Sequence, residues 1–325
     1  MDRQLNYTEL SAVLGVKAPL LMIDRLKFLE DGSAMGIRQV TMNDAVFQGH
    51  FPGTPVMPGV LQVAAMVQTA KMLHLQKFPG DSLIATVALR KVKFHNPVTP
   101  GSRMNVVCEQ NGEAVDGKVE YSCTVYCDRG IESDGKSDAV ASSGFVTLER
   151  KDAAWFKPVD TEGLPEFVPA VHEEFNKDSE IPDAAKPKGP IEIMENIPHR
   201  YPFMLVDGMY STADIANIVG YKNVTGSDPL VNAISPCRFA CGLQVEAGAQ
   251  LGCVAMLSQP ENKGKLGFFM SIDKAEFLRP VVPGDRLYMK VCCEPHGRFG
   301  VARGEFFVGT AQVASAAIKF AIVDR

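Results

Sequence analysis

A histidine held in a stiff loop is the feature of this sequence best suited to do chemistry. The segment runs Gly49-His50-Phe51-Pro52-Gly53-Thr54-Pro55-Val56-Met57-Pro58-Gly59-Val60-Leu61. Pro52, Pro55 and Pro58 each lock one backbone angle, which holds His50 in a defined place. An imidazole titrates near neutral pH and suits general acid–base work. Gly59 stands just before an apolar run that reads as a helix, so its N–H lacks a partner inside that helix and sits at the helix's positive end. Together these are the parts needed to take a proton while stabilising a developing oxyanion. A core histidine at a tight turn is the plainer reading of His50, and the stiff loop argues against it. A second candidate is Glu246, in Leu243-Gln244-Val245-Glu246-Ala247. A carboxylate in an apolar helix is costly without a partner, which favours a working role. The apolar setting predicts a raised pKa.

The elements that must position these groups occur twice. Leu21-Met22-Ile23-Asp24 returns in kind as Met204-Leu205-Val206-Asp207, and Leu61-Gln62-Val63 returns unchanged as Leu243-Gln244-Val245. Phe94-x-x-Pro97-Val98-x-Pro100-Gly101 returns as Phe277-x-x-Pro280-Val281-x-Pro283-Gly284. Three collinear matches at one near-constant offset make the chain two copies of one unit. Each copy opens with a short helix or turn, then a strand at 21–25 or 204–207 and a second at 34–42 or 215–225. A Gly/Pro-rich loop leads to an apolar run, 60–75 or 242–257, that is helical by composition and buried all round. Four β-rich runs follow: 83–94, 103–109, 118–127 and 139–148, matched by 266–277, 286–293, 301–308 and 311–323. One buried helix among antiparallel strands predicts an α+β unit, with domains at 1–150 and 191–325. Residues 151–190 hold six prolines and five basic against nine acidic residues, the signature of a surface linker. Its Trp155, Phe156, Phe167, Val168 and Phe175 are expected to pack across the halves.

Composition narrows the function. The 325 residues are 46% hydrophobic and 22% charged, which is ordinary for a globular chain. A net charge of −5 argues against nucleic acid as a partner. The eight cysteines form no C-x-x-C and have no histidine at zinc-finger spacing, so no metal site is expected. The polar start and the lack of a long apolar run predict no signal peptide and no membrane span. A reduced cytoplasmic compartment is the simplest expectation.

The loop resembles the H-F-P-G-x-P-V-M-P-G-V-L signature of bacterial 3-hydroxyacyl-acyl carrier protein dehydratases of the FabZ/FabA type. The second half resembles the same family in Pro198-His199-Arg200-Tyr201-Pro202-Phe203-Met204-Leu205-Val206-Asp207, in Lys222-Asn223-Val224-Thr225, and in Ile272–Phe277 with Arg279–Asp285. The resemblance implies two tandem hot-dog folds forming an intrachain pseudo-dimer, each an antiparallel sheet wrapped around a long helix. The family also carries a carboxylate on the helix, fourteen positions after the loop histidine. Here that position is Ala64; its counterpart in the second half is Glu246, whose own loop (232–242) has no histidine. Each half has lost the complementary member of the pair. One composite site, His50 with Glu246, is therefore implied, and its symmetric counterpart should be dead.

By this resemblance His50 removes the C2 proton of a 3-hydroxyacyl thioester and Glu246 protonates the departing C3 hydroxyl. The Gly59 N–H polarises the thioester carbonyl, and Phe51, Pro58 and Gln250 complete the substrate-binding set. No cofactor is implied. The implied partner is acyl carrier protein bearing a phosphopantetheine-linked chain, and the molecule is a monomeric pseudo-dimer or a homodimer of double hot dogs. Gln250 orients Glu246 from one turn along, or is a satisfied helix amide, as Gln68 would be beside Ala64. His199 and Tyr201 are expected to be structural. Arg90, Lys91 and Lys93 read as a solvated strand edge before a carrier-docking patch. A non-catalytic acyl-chain binder or scaffold is the reading from another class. A dehydratase-isomerase, whose relatives place Asp at the Glu246 position, and a hot-dog thioesterase remain further alternatives.

Overall fold

A computed structural model describes residues 4–128, 139–158, 163, 165, 166, 168, 187–210 and 214–324. In the first half, β1 (Gln4–Leu5) and α1 (Tyr7–Leu14) lead to β2 (Arg25–Phe28), β3 (Ala34–Gln39), α2 (Gly59–Lys77), β4 (Ile84–Phe94), β5 (Arg103–Gln110), β6 (Lys118–Asp128) and β7 (Ala139–Arg150). In the second, β8 (Pro187–Lys188) and α3 (Pro190–Asn196) lead to β9 (Gly208–Tyr210), β10 (Ile218–Asn223) and α4 (Pro229–Asn232). Then come α5 (Cys241–Leu257), β11 (Leu266–Phe277), β12 (Arg286–His296), β13 (Phe299–Val308) and β14 (Ala311–Val323). The order matches the repeat, and the boundaries of the eight long strands fall within a few residues of those expected.

All the strands of the described residues join one antiparallel sheet in the order β1-β2-β3-β5-β6-β7-β4-β11-β14-β13-β12-β10-β9-β8. The halves meet at its centre, where β4 pairs with β11 and Val92 faces Ile272. Each half curls around its own helix. Along β6 the residues alternate buried and half-buried, as a strand with one face on a core must. The helices bury far more than one face: Leu61, Val63, Ala65, Met66, Ala70 and Leu73 on α2, and Leu243, Val245, Ala247, Leu251 and Val254 on α5. The two helices start side by side. A Cβ at Gly242 would lie 3.3 Å from the Val60 carbonyl oxygen, so this position needs a small residue.

Two expectations are corrected. Residues 21–24 and 204–207 form no strand; β2 and β9 begin only after them. Their backbone bonds to helix glutamines instead. Gln68 accepts from the Met22 N–H at 2.8 Å and donates to the Leu20 carbonyl at 2.6 Å. Gln250 does the same with the Leu205 N–H (2.9 Å) and the Phe203 carbonyl (3.0 Å). An apolar run that plugs into a core needs no ladder if a buried side chain satisfies its amides. Second, the Arg90 region is no edge, since β4 is bonded on one side to β7 and on the other to β11. Arg90 is also not a free cation: its fork meets Glu120 at 2.6 and 2.7 Å, over the Phe145 ring. The described residues of the 151–190 stretch touch both halves: the Lys151 N–H donates to the Leu83 carbonyl of the first at 2.8 Å. Phe156 lies under Arg238, and Val168 is buried with Tyr210, Val219 and Tyr288. Phe167 and Phe175 lie outside the described residues.

Candidate functional site

The His50 loop is built by its own backbone. The Val56 carbonyl accepts from His50 Nδ1 at 2.7 Å, while the Val56 N–H donates to the His50 carbonyl at 3.1 Å. Phe51 and Thr54 exchange two further bonds, and the Met57 N–H anchors the loop to the Val98 carbonyl at 2.8 Å. A carbonyl can only accept, so Nδ1 carries the proton and Nε2 keeps its lone pair. The loop therefore presents a base of fixed tautomer. Gly59 opens α2 as expected, and a Cβ there would meet the Phe94 ring at 2.7 Å. Its N–H has no partner within the helix.

The opening motif of the second half is docked onto this loop. The Arg200 N–H donates to the Gly49 carbonyl at 3.0 Å, and a Cβ at Gly49 would fall 2.0 Å from the Arg200 carbonyl oxygen. The Arg200 guanidinium ties down the carbonyls of Met194, Ile197 and His199. This clamp brings His199 against His50, with ring centroids 5.5 Å apart, and against Phe51 at 4.9 Å. Phe51 itself stacks on His50 at 3.8 Å, and Phe203 packs edge-on at 5.3 Å.

Glu246 enters from α5 and is 5% exposed. Its Oε1 lies 3.5 Å from His199 Nε2 and accepts from Gln250 Nε2 at 3.0 Å. Gln250 thus bonds on one side to the opening segment, through Leu205 and Phe203, and on the other to the Glu246 carboxylate. His199 is the site residue that the sequence reading left as structural. No spacing in the sequence signals this, because residues 199 and 246 come together only through packing. Tyr201 is 70% exposed and stays outside the site.

The electrostatics differ from expectation. Burial pushes the Glu246 carboxyl up, but the His199 hydrogen bond and charge, the His50 charge and the Gln250 bond together hold it below the usual carboxylate range. The expected rise is thereby reversed, because partners outweigh burial. His50 moves the other way. Burial lowers it to about 4, against the opposing pull of Glu246. At neutral pH the pair is a neutral imidazole and a carboxylate anion.

His50, Phe51, Gly59, His199, Glu246 and Gln250 line one cavity of about 740 Å³. It runs from this polar end along α5 past Cys253, Met256 and Leu257 to Phe320 and Ile322 on β14. Its wall is shared by Phe94 of the first half and Phe269 of the second, in edge contact at 5.5 Å. Pro58 is not among its walls; it caps α2, its carbonyl accepting from the Leu61 and Gln62 N–H groups. Among the described residues no group of three His, Cys, Asp or Glu is arranged to hold a metal ion. None of their helices is long and apolar enough to cross a membrane.

Comparison with known proteins agrees with this division into halves. The FabA-like domain family model matches residues 15–131 and again 197–317. The 3-hydroxyacyl-[acyl-carrier-protein] dehydratase FabZ of Pelotomaculum thermopropionicum is 44% identical over 134 residues, 40% of this chain and 96% of that protein. The FabZ of Symbiobacterium thermophilum is 43% identical over 134 residues, 40% of this chain and 94% of its own length. Among solved structures, the dehydratase domain from the CurJ module of curacin polyketide synthase is similar in fold. Its TM-score is 0.62 at 12% identity, over 93% of this chain and 96% of that domain. The dehydratase domain of RzxB from Pseudomonas fluorescens gives 0.60 at 12%, over 93% and 98%. With both of its wrapped-helix units matched in turn by one domain model, the chain belongs to the FabA-like family.

Proposed function

We propose that the protein dehydrates 3-hydroxyacyl thioesters, carried on acyl carrier protein, to trans-2-enoyl thioesters in fatty acid or polyketide synthesis. The observation that carries this reading is that His50 of one half and Glu246 of the other line the same cavity. The FabZ relatives, named as dehydratases of acyl carrier protein substrates, support the reaction class.

The chemistry follows from the charge states. The thioester carbonyl accepts from the Gly59 N–H at the start of α2, which lowers the cost of negative charge on that oxygen. His50 Nε2 takes the C2 proton, its tautomer held by Val56. The C2–C3 double bond forms as the C3–O bond breaks. Glu246 is ionised, so it accepts a hydrogen bond from the C3 hydroxyl and stabilises the imidazolium rather than donating the first proton. The proton carried by His50 passes to the departing hydroxide and gives water, which returns the enzyme to its starting state. Run backwards, the same steps hydrate an enoyl thioester. His199 and Gln250 act as positioning residues through Glu246.

The test is hydration of a trans-2-enoyl thioester by wild type, His50→Ala and Glu246→Gln. A base of this kind contributes about 10²–10⁴-fold, so His50→Ala should lose that much in kcat. Equal rates in all three proteins would refute the site and favour the non-catalytic binder.

A further inference from the structure

The pseudo-twofold partner of the catalytic cavity is not simply empty. It is a smaller cavity of about 100 Å³ where the N-terminal ends of α2 and α5 meet, walled by Leu61, Val67, Leu89 and Leu243. Each chemical group of the first site has a counterpart here. Ala64 replaces Glu246, and Val16, which is bridged to Ile234, stands where His199 meets His50. Cys241 opens α5 as Gly59 opens α2. Loss of function accounts for these three changes. It does not account for Lys71, at the position of Cys253, or Arg238, at the position of Val56.

Both of these cations line the cavity, and no carboxylate does. Burial, then the charge of Arg238, lowers the Lys71 ammonium to about 8. Burial lowers Arg238 as well. Among the described residues that wall the cavity, the other titratable group facing Lys71 is the Cys241 thiol, which burial pushes up and so keeps neutral. The two cations are half-buried, Arg238 lying over the Phe156 ring, and they stand together beside the positive end of a 17-residue helix with no carboxylate in the cavity wall.

We propose that this second cavity is a binding site for a small oxyanion, a carboxylate or a phosphate, held between Lys71 and Arg238 at the start of α5. A guanidinium fork, an ammonium and free helix N–H groups form a donor set for such an ion. The volume admits a short anion and excludes the extended chain that the first cavity can take. The site stands independently of the dehydratase reading, since none of its walls belongs to the catalytic constellation.

The experiment titrates sodium butyrate or sodium phosphate into the full chain, against sodium chloride at matched ionic strength, and follows the melting temperature. Either anion should raise it saturably, and whichever does so identifies the class. Lys71→Met and Arg238→Met keep the apolar stems and remove the charge, so each should weaken apparent affinity by about tenfold or more. Ala64→Glu supplies an internal carboxylate on the same helix face and should abolish the response. His50→Ala should leave it intact. In wild type, the anion should also slow reductive methylation of Lys71, read by mass spectrometry, which needs no variant to fold. The proposal is overturned if both anions behave as chloride does, if all variants respond as wild type does, or if Lys71 labelling ignores both anions. Lys71 and Arg238 would then be plugs, filling the disused cavity with their stems.

Discussion

The two cavities occupy equivalent places in equivalent folds, yet one has about 740 Å³ with a histidine–glutamate–histidine cluster and the other about 100 Å³ with two cations. In a symmetric dimer of identical chains this could not happen, because any residue lost from one site is lost from both. Covalent fusion removes that constraint. For the proposed reaction, His50 is needed only in the loop of the first half and Glu246 only on the helix of the second. The remaining positions became free to shrink the other cavity or to recharge it. What stayed symmetric is the scaffold: Gln68 and Gln250 make the same pair of bonds to the opening segments in both halves.

The comparison can be broken at its strongest point first. His50→Ala should lower enoyl hydration by about 10²–10⁴-fold, whereas Ile234→Ala, at the mirror position, should leave it within twofold; a matched loss in both would show two working sites. Lowering the pH comes next. His50 works as a base only when neutral, and its depressed value of about 4 keeps it neutral through pH 5–7. The rate should therefore stay flat across that range and fall about tenfold per pH unit below pH 4, in a pH–rate profile of kcat/KM. A fall beginning near pH 6.5 would mean that His50 is not held in the buried setting described here.

His199→Gln is the third test, and its effect should be smaller. It keeps a hydrogen-bond donor but removes the His199 charge that helps hold Glu246 down, so the carboxyl should titrate higher. The expected result is a loss of roughly tenfold in kcat with an acidic limb shifted to higher pH. A loss without that shift would make His199 structural after all. The smallest contrast is between the glutamines. Gln68→Ala and Gln250→Ala each orphan a buried backbone N–H and carbonyl, and each should cost about 1–3 kcal/mol in urea unfolding. Only Gln250→Ala should also lower the rate, because only Gln250 touches a carboxylate.

Much of the fold was legible in the residues. The two buried helices lie within two residues of the expected runs, since an apolar, proline-free stretch has few alternatives. The opening segments were misjudged as strands because a short apolar run reads the same whether its amides meet a ladder or a glutamine 46 residues away. The basic cluster on β4 was misplaced at an edge for a related reason. Alternating charges mark exposure, but the partner strand is contributed by the other half of the chain.

The sequence by itself determined the duplication, the loss of one member of the pair from each half, and the proline-stiffened loop around His50. These depend on residue identity and local spacing, which are one-dimensional. Only the tertiary structure decided that His199 belongs to the site, that Glu246 is ionised instead of protonated, and that Lys71 faces Arg238. A side chain's charge state and neighbours depend on what every packed element brings within a few ångströms. Here those elements come from opposite halves of the chain, meeting across the paired helices and the β4–β11 seam.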